Sequence, residues 1–130
     1  MPTRRNDLLY PELSYVIVGC AFDVYNELGA GHHEKVYQRA LAQIFTEKGL
    51  KYNEQTYFPL KYHEKIIGKC YLDFLINEAI VVEIKKGNNF SKRNIEQVLE
   101  YMKTSKLKLA ILINFGTDAV SFKRIVNFDS

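Results

Sequence analysis

The stretch that most constrains the fold of this chain is Ala79-Ile80-Val81-Val82-Glu83-Ile84-Lys85-Lys86. A short, β-branched apolar run bounded by turn-forming residues reads as a buried strand. Strand side chains two apart share a face. Glu83 and Lys85 therefore point one way and Val82 and Ile84 the other. The expectation is one core face, with an acid and a base side by side on the opposite face. Upstream, Tyr71-Leu72-Asp73-Phe74-Leu75-Ile76 repeats the form, an apolar strand with one internal acid. Asn77-Glu78 can close a short hairpin between them. Pairing of the two strands then brings Asp73 to Glu83 beside Lys85.

Two ionised carboxylates at ~4 Å repel by roughly 4 kcal/mol at an effective dielectric of ~20. A shared proton, the Lys85 ammonium or a divalent metal can offset that. Oxygen-only ligands suit a hard cation, Mg²⁺ or Mn²⁺. With Lys85 orienting a water or steadying charge on a phosphate, this is metal-assisted phosphodiester hydrolysis in outline. The plainer reading is an exposed Glu83–Lys85 ion pair and a solvated Asp73. The spacing alone leaves both open.

A length of 130 residues bounds the chain to one domain: residues 1–10 as an N-terminal tail and 11–130 as the folded unit. The net charge of +3 permits an anionic partner without demanding one. Cys20 and Cys70 each lie in apolar stretches and form no C-x-x-C, which predicts buried free thiols in a reducing, cytoplasmic setting rather than a disulfide or zinc site. Neither a signal peptide nor a membrane span is expected, because no apolar run approaches ~18 residues.

Pro11 suits the first turn of a helix running to Leu28, with Leu13, Val16, Ile17, Cys20, Val24 and Leu28 on one face. Tyr15, Val18, Phe22 and Tyr25 form a second stripe, so this helix is either sandwiched or supports a homodimer. A second helix is predicted from about His32 to Lys48, with Tyr37, Leu41, Ile44 and Phe45 inward. Glu34 shares the face of Tyr37. It is either a first-turn acid favoured by the helix dipole or a third carboxylate reaching toward Asp73 and Glu83. His32 and His33 read as solvated or capping residues.

Tyr52–Tyr62, with Pro59 marking an edge or bulge, then 66–76 and 80–85 read as an antiparallel meander. Ser91 caps a helix from Lys92 to Thr104 with a core stripe of Ile95, Val98, Leu99 and Met102. Gln97 and Tyr101 are neighbours off that stripe, either a polar flank or a pair that touches phosphate or water. Lys86, Lys92 and Arg93, with Lys103, Lys106 and Lys108, form a basic surround that is either solvated or tracks phosphates. Leu109–Phe115 is a central strand, parallel to the Glu83 strand because a helix crosses between them. Residues 120–126 complete a mixed sheet flanked by helices, an α/β sandwich.

The ordered set Gly31-x-x-Glu34-x-x-Tyr37, Leu72-Asp73, Glu83-Ile84-Lys85, Gln97-x-x-x-Tyr101 and Leu112-Ile113-Asn114-Phe115-Gly116 resembles the GxxExxY protein family, itself similar to the PD-(D/E)xK nucleases. The resemblance spans about Leu13 to Val126 and implies a restriction-endonuclease-like core. It implies Asp73, Glu83 and Glu34 as metal-binding acids for Mg²⁺ or Mn²⁺, Lys85 as the catalytic lysine, and Gln97 and Tyr101 as the Q-x-x-x-Y pair of RecB-like nucleases. DNA or RNA is the implied substrate, with a protein partner for targeting as a further expectation. Asn94 stands where a histidine is common, and Leu72 replaces the motif's proline. The competing function is a non-catalytic nucleic-acid- or protein-binding module on the same fold.

Overall fold

In the computed structural model, which describes residues 10–127, helix α1 (Pro11–Leu28) opens the chain with proline in its first turn. It ends at Gly29, whose φ of 76° and amide bond to the Tyr25 carbonyl complete the cap. Helix α2 (Glu34–Glu47) begins two residues later than the sequence pattern predicts. His33 is extended, at φ −65° and ψ 152°, and serves as the N-cap residue. The His32 ring instead hydrogen-bonds the Leu28 carbonyl oxygen at 2.9 Å, which holds it in the interhelical loop.

Strands β1 (Tyr52–Tyr62), β2 (Lys65–Ile76) and β3 (Ile80–Lys86) form the expected antiparallel meander. Both connecting turns put two residues at positive φ: His63 and Glu64, then Asn77 and Glu78. In the first, Tyr62 pairs with Lys65 across a two-residue turn, the left-handed geometry that matches strand twist; in the second, Ile76 pairs with Ile80 and Ala79 is a third turn residue. Helix α3 (Lys92–Ser105) starts with a capping box, the Ser91 hydroxyl accepting from Asn94 N–H at 3.0 Å. Asn94 thus has a structural task at the start of α3. Strand β4 (Leu109–Phe115) lies parallel to β3, and β5 (Val120–Val126) is antiparallel to β4. The sheet order is β1-β2-β3-β4-β5. The mixed α/β sandwich expected from the sequence is the observed fold.

The core lies on both sides of this sheet. On one side, Phe74, Ile76, Val82, Ile84, Ile111 and Ile113 meet Ile17, Cys20, Tyr37, Leu41 and Phe45 of α1 and α2. On the other, Val81, Ala110, Leu112, Leu72 and Phe58 meet Val98, Tyr101 and Met102 of α3. Two expectations are corrected here. The face of β3 that carries Glu83 is not open, because the α3 crossover covers it and Val81 is fully buried. The inward stripe of α3 contains Tyr101, edge-on to Phe58 at 5.0 Å, whereas Leu99 is exposed. The second stripe of α1 also splits. Tyr25 packs against the core, while Tyr15 is 82% and Phe22 40% exposed. Both cysteines are free, Cys20 buried and Cys70 only partly so. The expected N-terminal tail, apart from Tyr10, lies outside the described residues. Among those residues no helix is long and apolar enough to cross a membrane.

Two tyrosines fasten the helices to the end of the sheet near the acids. Tyr37 stacks on Phe115 with ring centroids 4.2 Å apart and donates its hydroxyl to the Gly29 carbonyl at 2.6 Å. Tyr25 donates to the Gly116 carbonyl at 2.8 Å. Gly116 cannot be enlarged, because a Cβ there would press on Asn88 Oδ1 and come within 2.8 Å of the Ala119 carbonyl oxygen. These contacts fix the start of α2, and with it Glu34, over the C-terminal end of β3.

Candidate active site

The β2–β3 ladder pairs Ile76 with Ile80, Leu75 with Val81 and Phe74 with Val82, and then stops. The next opposed residues are Asp73 and Glu83. Here side chains replace the ladder. Asp73 N–H donates to Glu83 Oε2 at 2.7 Å, and Ile84 N–H donates to Asp73 Oδ2 at 2.8 Å. Each acid satisfies a backbone amide that the parting strands would otherwise leave unpaired. The β1–β2 ladder breaks at the same level, running from Glu54–Phe74 to Thr56–Leu72 and skipping Gln55 and Asp73. Leu72 faces α3 while Phe74 faces α1 and α2. The strand therefore changes face at Asp73, which frees its carboxyl to turn toward the gap.

One oxygen of each acid remains: Asp73 Oδ1 receives only a long contact from Gln55 Nε2, at 3.5 Å. Burial pushes both carboxyls up, Asp73 to about 6 and Glu83 to about 8. For Glu83 the charge of Asp73 adds to burial, and Glu34 raises both acids further. The backbone N–H bonds and the Lys85 ammonium pull the other way without cancelling the rise. The pair therefore holds a proton near neutrality unless another cation displaces it. Two part-buried, under-neutralised carboxylates with spare oxygens fit a hard divalent cation by the chemistry of the donor set.

Lys85 Nζ lies 4.0 Å from Glu34 Oε2, both side chains being about two-fifths exposed (41% and 42%). A contact that wet contributes little stability. Glu34 Oε2 also accepts from Lys86 N–H at 2.9 Å, capping the end of β3. Among the described residues no three His, Cys, Asp or Glu side chains converge into a metal-holding group. Glu34 thus adjoins the acid pair through Lys85 and Lys86. Tyr101 belongs to the α3-side core, and Gln97 is part-buried one turn before it. Lys92 and Arg93 are exposed in the first turn of α3, and exposed Lys86 approaches the Gly31 carbonyl with its Nζ at 3.5 Å.

Sequence reasoning missed three residues. Gln55, with φ of 49°, bonds Gln38 of α2 at 3.1 Å as well as reaching Asp73. Gln38 in turn donates to Glu54 at 3.2 Å, so a chain of amides ties α2 to Asp73. Asn114 stands in register with Lys85, buried, its Nδ2 without a partner among the described residues. A left-handed φ and a bulged register are invisible in composition. Asn114, however, is a polar residue inside a seven-residue apolar strand, which is a usable signal.

The site is thus an acid pair with a neighbouring lysine at a parted hairpin of a mixed α/β sheet. A family model described as the PD-(D/E)XK nuclease superfamily matches residues 11–125, and the chain belongs to that superfamily. The crystal structure of SSO0001 resembles it with a TM-score of 0.55 at 16% identity, over 72% of this chain and 50% of that one. The chain thus spans about half the length of SSO0001, and the likeness is one of fold. An alkaline exonuclease (LHK-Exo) from Laribacter hongkongensis aligns at 16% identity and a TM-score of 0.39, over 92% of this chain and 84% of that one. No curated protein matches the sequence.

Proposed function

We propose that the chain is a divalent-metal-dependent nuclease that hydrolyses phosphodiester bonds in DNA or RNA, in the GxxExxY branch of its superfamily. The observation that carries this reading is the reciprocal bonding of Asp73 and Glu83 at the parted strands, with one oxygen of each to spare. Those oxygens would hold Mg²⁺ or Mn²⁺. Such an ion supplies Lewis-acid polarisation of the phosphate and a bound water of lowered pKa. The backbone amides of Asp73 and Ile84 orient the two acids. Lys85, at the next same-face position after Glu83, positions the attacking water or balances charge gathering on the phosphate. Glu34 aims the Lys85 ammonium from across the strand end and adds negative potential to the ion's position. Exposed Lys86, Lys92 and Arg93, with part-buried Gln97, are assigned to holding the substrate backbone, and Tyr101, buried against Phe58, to packing beneath them.

Lys85→Ala should bind Mn²⁺ as the wild type does and lose cleavage on a panel of single- and double-stranded DNA and RNA. Cleavage unchanged in that variant contradicts the role of Lys85. Wild type that binds both metal and nucleic acid yet cuts none of the panel contradicts catalysis, and marks a binding module.

We also propose self-association through α1. Tyr15, Phe22 and Phe122 are 82%, 40% and 47% exposed. With about 200 Å² for a whole aromatic side chain, they bare roughly 350 Å² per copy. Two copies thus bring together roughly 700 Å² of bare aromatic surface, which exposed Pro11 and part-buried Val18 extend toward the ~1,000 Å² that a specific interface needs. Gly19, with open space above it, lets a second helix approach. Sedimentation should show a dimer that Tyr15→Glu converts to monomer, and a monomeric wild type contradicts this.

A further inference from the structure

Beyond Phe74 the β2 strand has no third partner, so residues 57–71 form a two-stranded ribbon that leaves the sheet where the acid pair sits. One face of the ribbon, with Phe58, Cys70 and Leu72, is packed toward α3. The other carries the cross-strand pair Tyr57 and Tyr71, ring centroids 5.7 Å apart and 48% and 47% exposed. Tyr71 is two residues from Asp73, about 7 Å along the strand, and Tyr57 is two from Gln55, which bonds Asp73. Lys69 follows on the same face, its Nζ 6.0 Å from the Tyr71 ring centroid. Within residues 57–71, Lys61, Lys65 and Lys69 stand against one carboxylate, Glu64. At the tip Tyr62 is 63% exposed and stacks on His63 at 4.1 Å. A core need not place two bare aromatic faces side by side on an edge ribbon.

Resting on the nuclease reading above, we propose that the Tyr57–Tyr71 face with Lys69 is a stacking platform for unpaired bases, which directs single-stranded nucleic acid to the Asp73–Glu83 site. Aromatic faces beside lysines are how proteins hold single strands without reading sequence, since every base offers a π-face while a duplex buries it. The charge of the ribbon complements the phosphates, and the platform runs directly into the acid pair. The substrate class that follows is a single strand, or the frayed or flapped end of a duplex.

The test is binding of a labelled oligothymidylate and of a matched duplex in EDTA, where no cleavage intervenes. Tyr71→Leu and Tyr57→Leu should each weaken single-strand binding by about 5- to 100-fold, Tyr71→Phe should keep it, and duplex binding should barely change. The chain has no tryptophan, so Tyr71→Trp creates one reporter, and its emission should be quenched by the oligonucleotide. Tyr71→Leu and Tyr57→Leu variants that fold and bind as tightly as the wild type, with no quenching in Tyr71→Trp, overturn the platform even if the protein cuts nucleic acid. Loss of self-association in those variants, with oligonucleotide binding intact, overturns it equally. Binding that depends on Tyr71, with no cleavage of any substrate, leaves the platform standing and removes the nuclease reading alone.

Discussion

Replacing Asp73 with asparagine should abolish metal-dependent cleavage and at the same time make the metal-free protein more stable. The side-chain carbonyl of Asp73→Asn can still accept from Ile84 N–H, so the parted strands keep their cross-link. What disappears is one of two mutually repelling, part-buried charges, the cause second only to desolvation in raising Glu83. Breaking up an uncompensated buried charge cluster recovers desolvation and Coulomb energy. The expected gain in urea unfolding at pH 8 with EDTA is on the order of 1–3 kcal/mol. Added Mn²⁺ should reverse the order, since a cation bound to the folded wild type stabilises it by mass action. A variant less stable than wild type in EDTA would mean that the pair is not a site of stored repulsion.

The second large effect is on stability against pH. Both acids have folded values above their unfolded ones, Asp73 moving from 3.8 to about 6 and Glu83 from 4.5 to about 8. Between about pH 4 and pH 8 the folded chain therefore holds more protons than the unfolded chain. Unfolding free energy falls with rising pH wherever the native state binds the extra proton. Metal-free protein should thus be more stable at pH 5 than at pH 9. This is the reverse of a salt-bridged carboxylate. Saturating Mn²⁺ should flatten or invert the slope, because the ion takes the place of the proton. A metal-free profile that rises toward pH 9 would contradict the burial and repulsion assigned to the pair.

These effects come from features that the sequence discloses unevenly. The hydrophobic runs of β3 and β4 and the helical stripe of α1 declare themselves because each has one period and one partner. The β1–β2 hairpin does not. Counting back from the His63-Glu64 turn sets Gln55 opposite Leu72. The bulge between Leu60 and Lys61 moves it by one, to the level of Asp73. A one-residue slip changes which side chains meet, so the Gln38–Gln55–Asp73 chain cannot be found by spacing. The change of face at Asp73 has the same origin, since strict alternation is lost where both flanking ladders break. Helical spacing sets Tyr101 off the core because Leu99 looks the better apolar residue. The edge-on contact with Phe58 is a tertiary one, and it decides which of the two is buried. The juxtaposition of Asp73 and Glu83, by contrast, is open to reading. An acid in each arm of a tight hairpin, four residues before Asn77 and five after Glu78, comes to nearly the same level, and Ala79, unpaired between Ile76 and Ile80, takes up the one-residue difference.

The most direct test of the account is calorimetric titration of Mn²⁺ into wild type and into Asp73→Asn near pH 7, repeated in buffers of different ionisation enthalpy. Saturable binding to wild type is expected, with release of about one proton per ion as the raised acid pair gives up its proton, and loss of that binding in the variant. Equal binding in both proteins, or binding to wild type that displaces no proton, would contradict it.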